Sequence, residues 1–217
     1  MYISIIHSSD VSRRDFWQQV LTNEECSRGY SDGFKLLYCP WRILETARSL
    51  FLSLNPGPDP SNEFMRVASD ERGNSYLVLR KTKHSPIADQ YRRLCKLIGD
   101  DPEDVLAGAL MPYRTDNWCN SRDEPNIEIS ADFWRDTILN GRIAQVFCVG
   151  RVVEKTVVKL TNARLMVEMP SGWGTVAIRR YLTVDGVKVY GLPHLSRFKL
   201  LSRTSCLSQI ADLIEFD

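Results

Sequence analysis

One segment constrains the fold more than any other: residues 144–150, Ala-Gln-Val-Phe-Cys-Val-Gly, form an almost continuous apolar run. A run of this length that ends in glycine is typical of a strand buried on both faces of a parallel sheet. About ten residues with helical periodicity follow it directly. Strands that alternate with helices predict an α/β fold, in which right-handed crossovers place helices on both faces of the sheet.

The remaining elements are predicted from the same patterns. Strands are expected at residues 34–38, 49–54 and 105–111. Helices are expected at residues 12–26, 85–99, 130–141 and 207–214, the first three each with a serine as N-cap. Residues 181–190 predict a β-hairpin closed by a two-residue Asp-Gly turn. Residues 61–84 are polar and mixed in character, and predict a long loop with a turn at residues 72–74.

Composition excludes several classes of protein. The six cysteines lie far apart and form no C-x-x-C pair, which argues against a zinc ribbon or a four-cysteine cluster. The net charge is only +1, yet residues 151–210 carry ten Lys and Arg against three acidic residues. A basic C-terminal third on a nearly neutral chain is compatible with a phosphate-facing surface, and equally with an ordinary solvated face.

Three predicted strands end in distinctive loops. These are Asn-Pro-Gly at residues 55–57, Pro-Tyr-Arg-Thr at 112–115 and Pro-His-Leu-Ser-Arg-Phe at 193–198. Ligands of open α/β sheets bind at the carboxyl ends of the strands. If the strands are parallel neighbours, the three loops converge on one edge of the sheet.

Together these loops resemble the motifs of the uracil-DNA glycosylase superfamily. Leu54-Asn55-Pro56-Gly57 looks like the first motif of its mismatch-specific branch, and Leu192-Pro193-His194-Leu195-Ser196 looks like the second, His-Pro-Ser or Asn-Pro-Ser after Leu-Pro. Residues 146–150 and 111–115 resemble the strand that ends in glycine and the strand that ends beside the base pocket. Leu195 departs from the usual proline, and the loop after the first motif is longer than in compact members.

The resemblance covers residues 49–214 and leaves residues 1–48 as an N-terminal extension of a single domain, 1–217. It implies a three-layer αβα sandwich around a central, mainly parallel four-stranded sheet. It also implies a monofunctional DNA glycosylase, which hydrolyses the N-glycosidic bond of a flipped-out base and leaves an abasic site.

Two substrate classes remain open under this resemblance. One is uracil or mismatched thymine, in DNA repair. The other is a bulky modified pyrimidine, such as glucosylated hydroxymethylcytosine of phage DNA, in antiviral defence; the long loop and the motif departures favour an unusual base slightly. A catalytically inactive glycosylase-like module that binds nucleic acid is the alternative to an enzyme.

The resemblance assigns roles to individual side chains. Asn55 is expected to position the attacking water, and His194 to hydrogen-bond the departing base. The expected substrate contacts, led by an aromatic ring that stacks on the base, are Phe64, Tyr76, Tyr113 and Ser53. The expected DNA contacts are Arg114, Ser196, Arg197, Phe198 and Lys199. Each residue also has a purely structural interpretation: an Asx turn at Asn55, a loop-fixing histidine at His194, and solvated charges after it.

Other chemistries lack their signatures. The chain contains no G-x-G-x-x-G, and its Asn-Pro is not followed by the proline and aromatic residue of a DNA amino-methyltransferase. Its G-x-S-x-G, residues 29–33, precedes a predicted strand, whereas a nucleophile elbow joins the end of a strand to a helix. His7 and His84 have no second ligand at metal spacing, so no metal or other cofactor is expected. No lysine stands out as a Schiff-base nucleophile. Without a bilayer-length apolar run or a secretory signal, the protein is expected in the cytoplasm. The resemblance implies DNA as its partner, and the protein is expected to be a monomer. Trp118 and Trp173 flank polar loops and fit either a partner contact or the core.

Overall fold

The computed structural model of the chain describes residues 12–57, 66–82 and 85–216. Its strands are β1 (Phe34–Leu37), β2 (Ser49–Ser53), β3 (Arg66–Ser69), β4 (Leu106–Ala109), β5 (Gln145–Val149), β6 (Arg164–Pro170), β7 (Ala177–Leu182) and β8 (Lys188–Leu192). Its α-helices are α1 (Arg13–Ser27), α2 (Ser75–Thr82), α3 (Pro86–Ile98), α4 (Asn120–Asp123), α5 (Glu128–Leu139), α6 (Arg151–Thr161) and α7 (Thr204–Glu215). Among the described residues, no helix combines the length and the apolarity that crossing a bilayer needs.

All eight strands form one mixed sheet in the order β3-β1-β4-β2-β5-β8-β7-β6. The α/β fold is therefore confirmed. The four inner strands, β4, β2, β5 and β8, run parallel to one another. The predicted sheet of four strands was too small, because β1 and β7 pair antiparallel with this set and β3 and β6 extend it further. No local pattern predicted β6, whose side chains are mostly exposed.

Alternating side chains build a core on each face of the sheet. In β2, Leu50 and Leu52 point to one face and Phe51 to the other, and in β5 the residues alternate in the same way. Helices α1, α5 and α6 cover the first face, while α2, α3 and α7 cover the second. A strand buried on both faces must be apolar at nearly every position, which explains the continuous run in β5.

Capping residues fix the ends of two predicted helices. Ser12 accepts a hydrogen bond from the backbone N–H of Asp15 at the start of α1. Ser85 does the same at the start of α3, and Gly99 ends that helix with φ +78°. These boundaries are confirmed. The predicted cap of α5 is wrong, because α5 begins at Glu128 and the Ser130 hydroxyl, inside the helix, donates to the carbonyl of Leu110.

Two loops differ from their predictions. The long loop expected over residues 61–84 contains β3 and α2 within its described part, because short elements with few apolar positions leave little periodicity. The hairpin of β7 and β8 has a three-residue loop, since Thr183 N–H donates to Val187 O over 3.0 Å. Gly186, at φ +83°, supplies the left-handed residue that such a loop requires.

One glycine in β4 allows a large side chain to cross the sheet face. A Cβ at Gly108 would lie 2.6 Å from Trp134 of α5 and 2.7 Å from the carbonyl oxygen of Leu36. Trp134 is fully buried, and its indole N–H donates to the carbonyl of Ala109 over 3.0 Å. Gly108 and Trp134 therefore form a matched pair that seats α5 on the sheet beside the end of β4.

Candidate functional site

The strand register brings Asn55 and His194 to the same edge of the sheet. Leu52 of β2 pairs with Cys148 of β5, and Cys148 pairs with Gly191 of β8. Asn55 and His194 each follow these positions by three residues. Neighbouring strands are about 4.8 Å apart, so two spacings, about 10 Å, separate the two strands that carry these residues. The amide and the imidazole thus flank the carboxyl end of β5.

Two hydrogen bonds donated by its amide nitrogen hold the Asn55 side chain in place. Nδ2 donates to Thr115 Oγ1 over 3.0 Å and to the carbonyl oxygen of Pro56 over 3.1 Å. No described residue donates to Oδ1. Because both bonds use the nitrogen, the oxygen is left as an acceptor for a bound molecule.

The loop after β4 holds the Asn-Pro-Gly loop in place. Arg114 is almost fully buried, and its Nη1 donates to the carbonyl of Gly57 over 2.5 Å. Its backbone N–H donates to the carbonyl of Gly33, and the Thr115 hydroxyl anchors Asn55. The structure therefore gives Arg114 a positioning role at this edge, in place of exposure toward a phosphate.

His194 lies in a tight turn at the end of β8. The N–H groups of Arg197 and Phe198 both donate to the His194 carbonyl over 2.9 Å. Leu195, which stands where the related motif has proline, is fully buried in the core between the sheet and helices α2, α3 and α7. The leucine side chain therefore anchors the turn through packing rather than through a restricted φ angle.

Gly150 lies beside the His194 ring, and its positive φ angle, not a lack of space, is what favours glycine there. A Cβ on Gly150 would lie 3.8 Å from His194 Cδ2, and the φ angle of Gly150 is +101°. The imidazole thus rests beside the end of β5, although the residue as a whole is exposed. Partial burial lowers the pKa of His194 below its ordinary value of 6.5, and the Arg197 cation acts in the same direction. The ring is therefore neutral at pH 7.

A hydroxyl contacts one nitrogen of this neutral ring. Ser196 Oγ lies 2.7 Å from His194 Nδ1. When the Ser196 hydroxyl donates to Nδ1, the ring proton is on Nε2, which then becomes the donor for a bound molecule. Ser196 therefore orients the His194 ring, and its expected phosphate contact stays a prediction.

Sequence reasoning missed Arg151, which follows Gly150 directly. Arg151 lies three residues beyond Cys148 of β5. Asn55 and His194 likewise lie three residues beyond the residues of β2 and β8 that pair with Cys148. Arg151 Nη1 pairs with Glu154, a buried carboxylate that also accepts from the Tyr181 hydroxyl over 2.5 Å. The position of Arg151 could have been predicted from the sequence, because the first helical residue after a central strand lies at this edge of the sheet.

The expected substrate contacts are buried where they can be described. Tyr76 is 4% exposed and packs among Tyr38, Phe51 and Tyr91, with ring centroids 5.0–5.4 Å apart. In this arrangement its ring presents no open face to a base. Phe64, His7 and His84 lie outside the described residues.

Ser53 and Tyr113 are also inside the protein. The Ser53 hydroxyl donates to the carbonyl of Gly108 over 3.1 Å. Tyr113 stacks on Tyr30 with centroids 4.7 Å apart, and its hydroxyl donates to the carbonyl of Leu21. Both side chains are therefore buried in the protein interior and do not line the surface of the site.

The expected DNA contacts after His194 differ in their exposure to solvent. Arg197 and Lys199 are exposed. Phe198 is half-buried and meets Trp173 edge-on, with centroids 5.9 Å apart. The structure therefore places Phe198 in a small surface cluster rather than leaving it as a free wedge.

A buried lysine supports the loop after β4. Lys35 Nζ pairs with Asp70 Oδ2 over 3.0 Å, and the Lys35 N–H donates to the carbonyl of Pro112. Burial lowers the pKa of Lys35. Burial alone would raise the pKa of Asp70, but the bonds from Arg72 and Lys35 outweigh it and hold that pKa below its ordinary value. The Lys35–Asp70 pair and the backbone bond together fix the loop that carries Arg114.

The site thus offers a neutral acceptor, a neutral donor and a cation, set along one edge. Among the described residues, no group of three His, Cys, Asp or Glu side chains could hold a metal ion. No protein-family model and no curated protein matches the chain.

Proposed function

We propose that the protein is a DNA glycosylase, which hydrolyses the N-glycosidic bond of an extruded nucleotide. The observation that carries this proposal is the placement of Asn55 and His194 at equivalent register positions on either side of β5. A neutral acceptor and a neutral donor carried on strands about 10 Å apart can hold a water and a departing base on opposite sides of one sugar.

Each side chain has one task in this reaction. The C1′–N bond breaks, its electron pair leaves with the base, and positive charge develops on the sugar. Asn55 Oδ1 accepts a hydrogen bond from a water, whose oxygen then bonds to C1′ and whose proton is released. His194 Nε2–H donates to a carbonyl oxygen of the base as negative charge grows there. The products are a free base and an abasic site.

Asn55 suits a reaction in which the base departs early. An amide orients water without deprotonating it, so the water attacks only once the sugar has become electrophilic. Thr115 and Pro56 fix the amide before the substrate binds, which spares the reaction that ordering step. Arg151 lies at the same edge with its guanidinium half-exposed and paired through Nη1 with Glu154, and its remaining N–H groups are proposed to contact a phosphate of the extruded nucleotide.

The proposal includes the four-stranded parallel sheet expected of such an enzyme. The parallel set of β4, β2, β5 and β8 corresponds to the four-stranded sheet that the resemblance to uracil-DNA glycosylases implies. The remaining strands then extend that sheet. The proposed protein is a cytoplasmic monomer acting on DNA, either on uracil and mismatched thymine in repair or on a bulky modified pyrimidine of phage DNA in defence.

A panel of DNA substrates tests the proposal. Duplex and single-stranded DNA that contain uracil, a G·T mismatch, deaminated purines or glucosylated hydroxymethylcytosine are incubated with the protein, and released bases are identified by mass spectrometry. We expect one class of base to be released, with strand breaks that appear only after alkali. Intact DNA from every substrate would leave a binding module as the better description. Strand breaks without alkali would contradict a monofunctional enzyme.

The acidity of His194 leads to a prediction about pH. The neutral ring accepts the Ser196 hydroxyl and adds no positive charge beside the developing sugar cation, so protonation impairs catalysis. Because the folded pKa is below 6.5, single-turnover base release should be constant above pH 6.5 and should fall at lower pH. His194→Gln keeps a neutral donor, and should be slower but lack this acidic decline. A decline of the same shape in the glutamine variant would assign the titration to another group.

A further inference from the structure

A cluster of aromatic and cationic side chains lies next to His194 on the same edge of the sheet. The Arg203 guanidinium is 3.5 Å from the centre of the Trp173 ring. Trp173 meets Phe198 edge-on, and the Arg197 guanidinium is 5.7 Å from the centre of the Phe198 ring. We name these four residues the Trp173 cluster.

The loop between β6 and β7 is built to hold Trp173. Ser171 N–H donates to the carbonyl of Val176 over 2.8 Å, and the Trp173 N–H donates to Ser171 Oγ. Gly172 has φ +76°, and a Cβ there would lie 2.7 Å from the carbonyl oxygen of Ser205. Only glycine therefore lets this loop pack against the start of α7, where Arg203 is located.

The register places this loop beside the candidate site. Arg179 of β7 pairs antiparallel with Gly191 of β8. Because β7 and β8 are antiparallel, the chain before Arg179 and the chain after Gly191 lie at the same edge of the sheet. The β6–β7 loop and His194 are therefore both at that edge. The loop lies three strands from Asn55, which is about 14 Å.

The charge of this region is unopposed. Arg197, Lys199 and Arg203 are exposed, and no described residue forms an ion pair with any of them. The sequence has no acidic residue between 171 and 184, nor between 186 and 211. Stacking on aromatic rings holds two of the guanidinium groups without neutralising them. A polyanion is the ligand that such a surface favours.

We infer that the Trp173 cluster is a nucleic-acid-binding surface that holds the strand beside the extruded nucleotide. Arginine stacked on an aromatic ring beside further cations binds phosphates and sugars with little dependence on sequence. This inference rests on the proposed function and extends it, since Trp173 and Arg203 come from the β6–β7 loop and the start of α7, outside the motifs that indicated a glycosylase.

Fluorescence anisotropy with labelled duplex and single-stranded DNA tests the surface. Arg203→Glu and Trp173→Ala should each weaken binding by about tenfold or more at 0.1 M salt. Trp173→Phe should bind nearly as wild type because it keeps a ring beneath Arg203. Arg203→Gln should reduce the slope of log affinity against log salt by about 0.9 on duplex DNA, the loss of one phosphate contact. Thermal unfolding of each variant verifies that it is folded.

Arg142→Glu is the matched control, because Arg142 is exposed in the turn before β5, at the opposite edge of the sheet. It makes the same charge change and should leave affinity unchanged. Equal weakening by Arg142→Glu and Arg203→Glu would overturn the inference, and so would wild-type affinity in the Arg203→Glu and Trp173→Ala variants. Polyglutamate that binds as tightly as DNA, and through Arg203, would reassign the surface to an acidic protein.

The result separates this inference from the proposed function. If Arg203→Glu weakens DNA binding and Arg142→Glu does not, the surface stands even when the wild-type protein releases no base from any substrate. If base release is observed but the affinity of Arg203→Glu equals that of wild type, the surface is rejected and the glycosylase proposal stands.

Discussion

Replacing Asn55 with alanine is expected to slow base release by about 10²–10³-fold in a single-turnover assay, the range found when one preorganised hydrogen-bonding group is removed from an active site. The variant loses the oxygen that orients water, while the cations that contact DNA remain in place. DNA affinity measured by anisotropy should therefore stay within about twofold of wild type.

Two further variants make this result specific. Thr115→Val removes the acceptor that holds Asn55 Nδ2, and should give a smaller loss because the amide is still present but free to rotate. Asn140→Ala, at an exposed position after α5, should have no effect. Full base release by the Asn55→Ala variant would exclude Asn55 as the residue that positions water, even if the protein proves to be a glycosylase.

Replacing Trp134 with alanine is expected to lower the free energy of unfolding by about 3–5 kcal/mol. The indole is fully buried between α5 and β4, and its N–H bonds to the carbonyl of Ala109, which would lose that partner. For a chain of this size, the loss corresponds to a decrease in Tm of about 6–20 °C. Denaturant titration followed by circular dichroism measures it directly.

A double-mutant cycle with Gly108 tests the packing itself. Gly108→Ala in the wild-type protein should be destabilising, because the new methyl group meets both Trp134 and the carbonyl of Leu36. In the Trp134→Ala background its effect should be smaller, since one of the two obstacles is gone, but should persist because the carbonyl remains. Strictly additive effects would show that the two residues do not share the same space.

The parts of the fold that could be predicted from sequence are those where local chemistry decides the outcome. Ser12, Ser85 and Gly99 mark helix ends because caps satisfy backbone groups within a few residues. The β5 strand was evident because burial on both faces leaves only its first residue, Gln145, polar. By contrast, β6 has mostly exposed side chains, and its place at the sheet edge depends on pairing with β7, which no local pattern reveals.

In the candidate site, too, some features could be predicted from sequence and others could not. The position of Asn55 and His194 at strand ends could be predicted from the loops that carry them. The burial of Tyr76 and Tyr113 could not, because a tyrosine near a predicted site looks the same in sequence whether its ring points outward or into the core. The pairing of Trp173 with Arg203 joins residues thirty positions apart, and it depends on how the β6–β7 loop packs against α7.

The contact between Gly191 and Glu154 restricts how this protein can diverge. A Cβ at Gly191 would collide with the Glu154 side chain, which in turn holds Arg151 and Tyr181. A change at either position alone therefore leaves a clash or an empty space with unpaired polar groups. In any set of related chains, these two positions should change together: lineages that keep the glutamate should keep the glycine, and those that lose the glutamate are free to acquire a side chain on the strand.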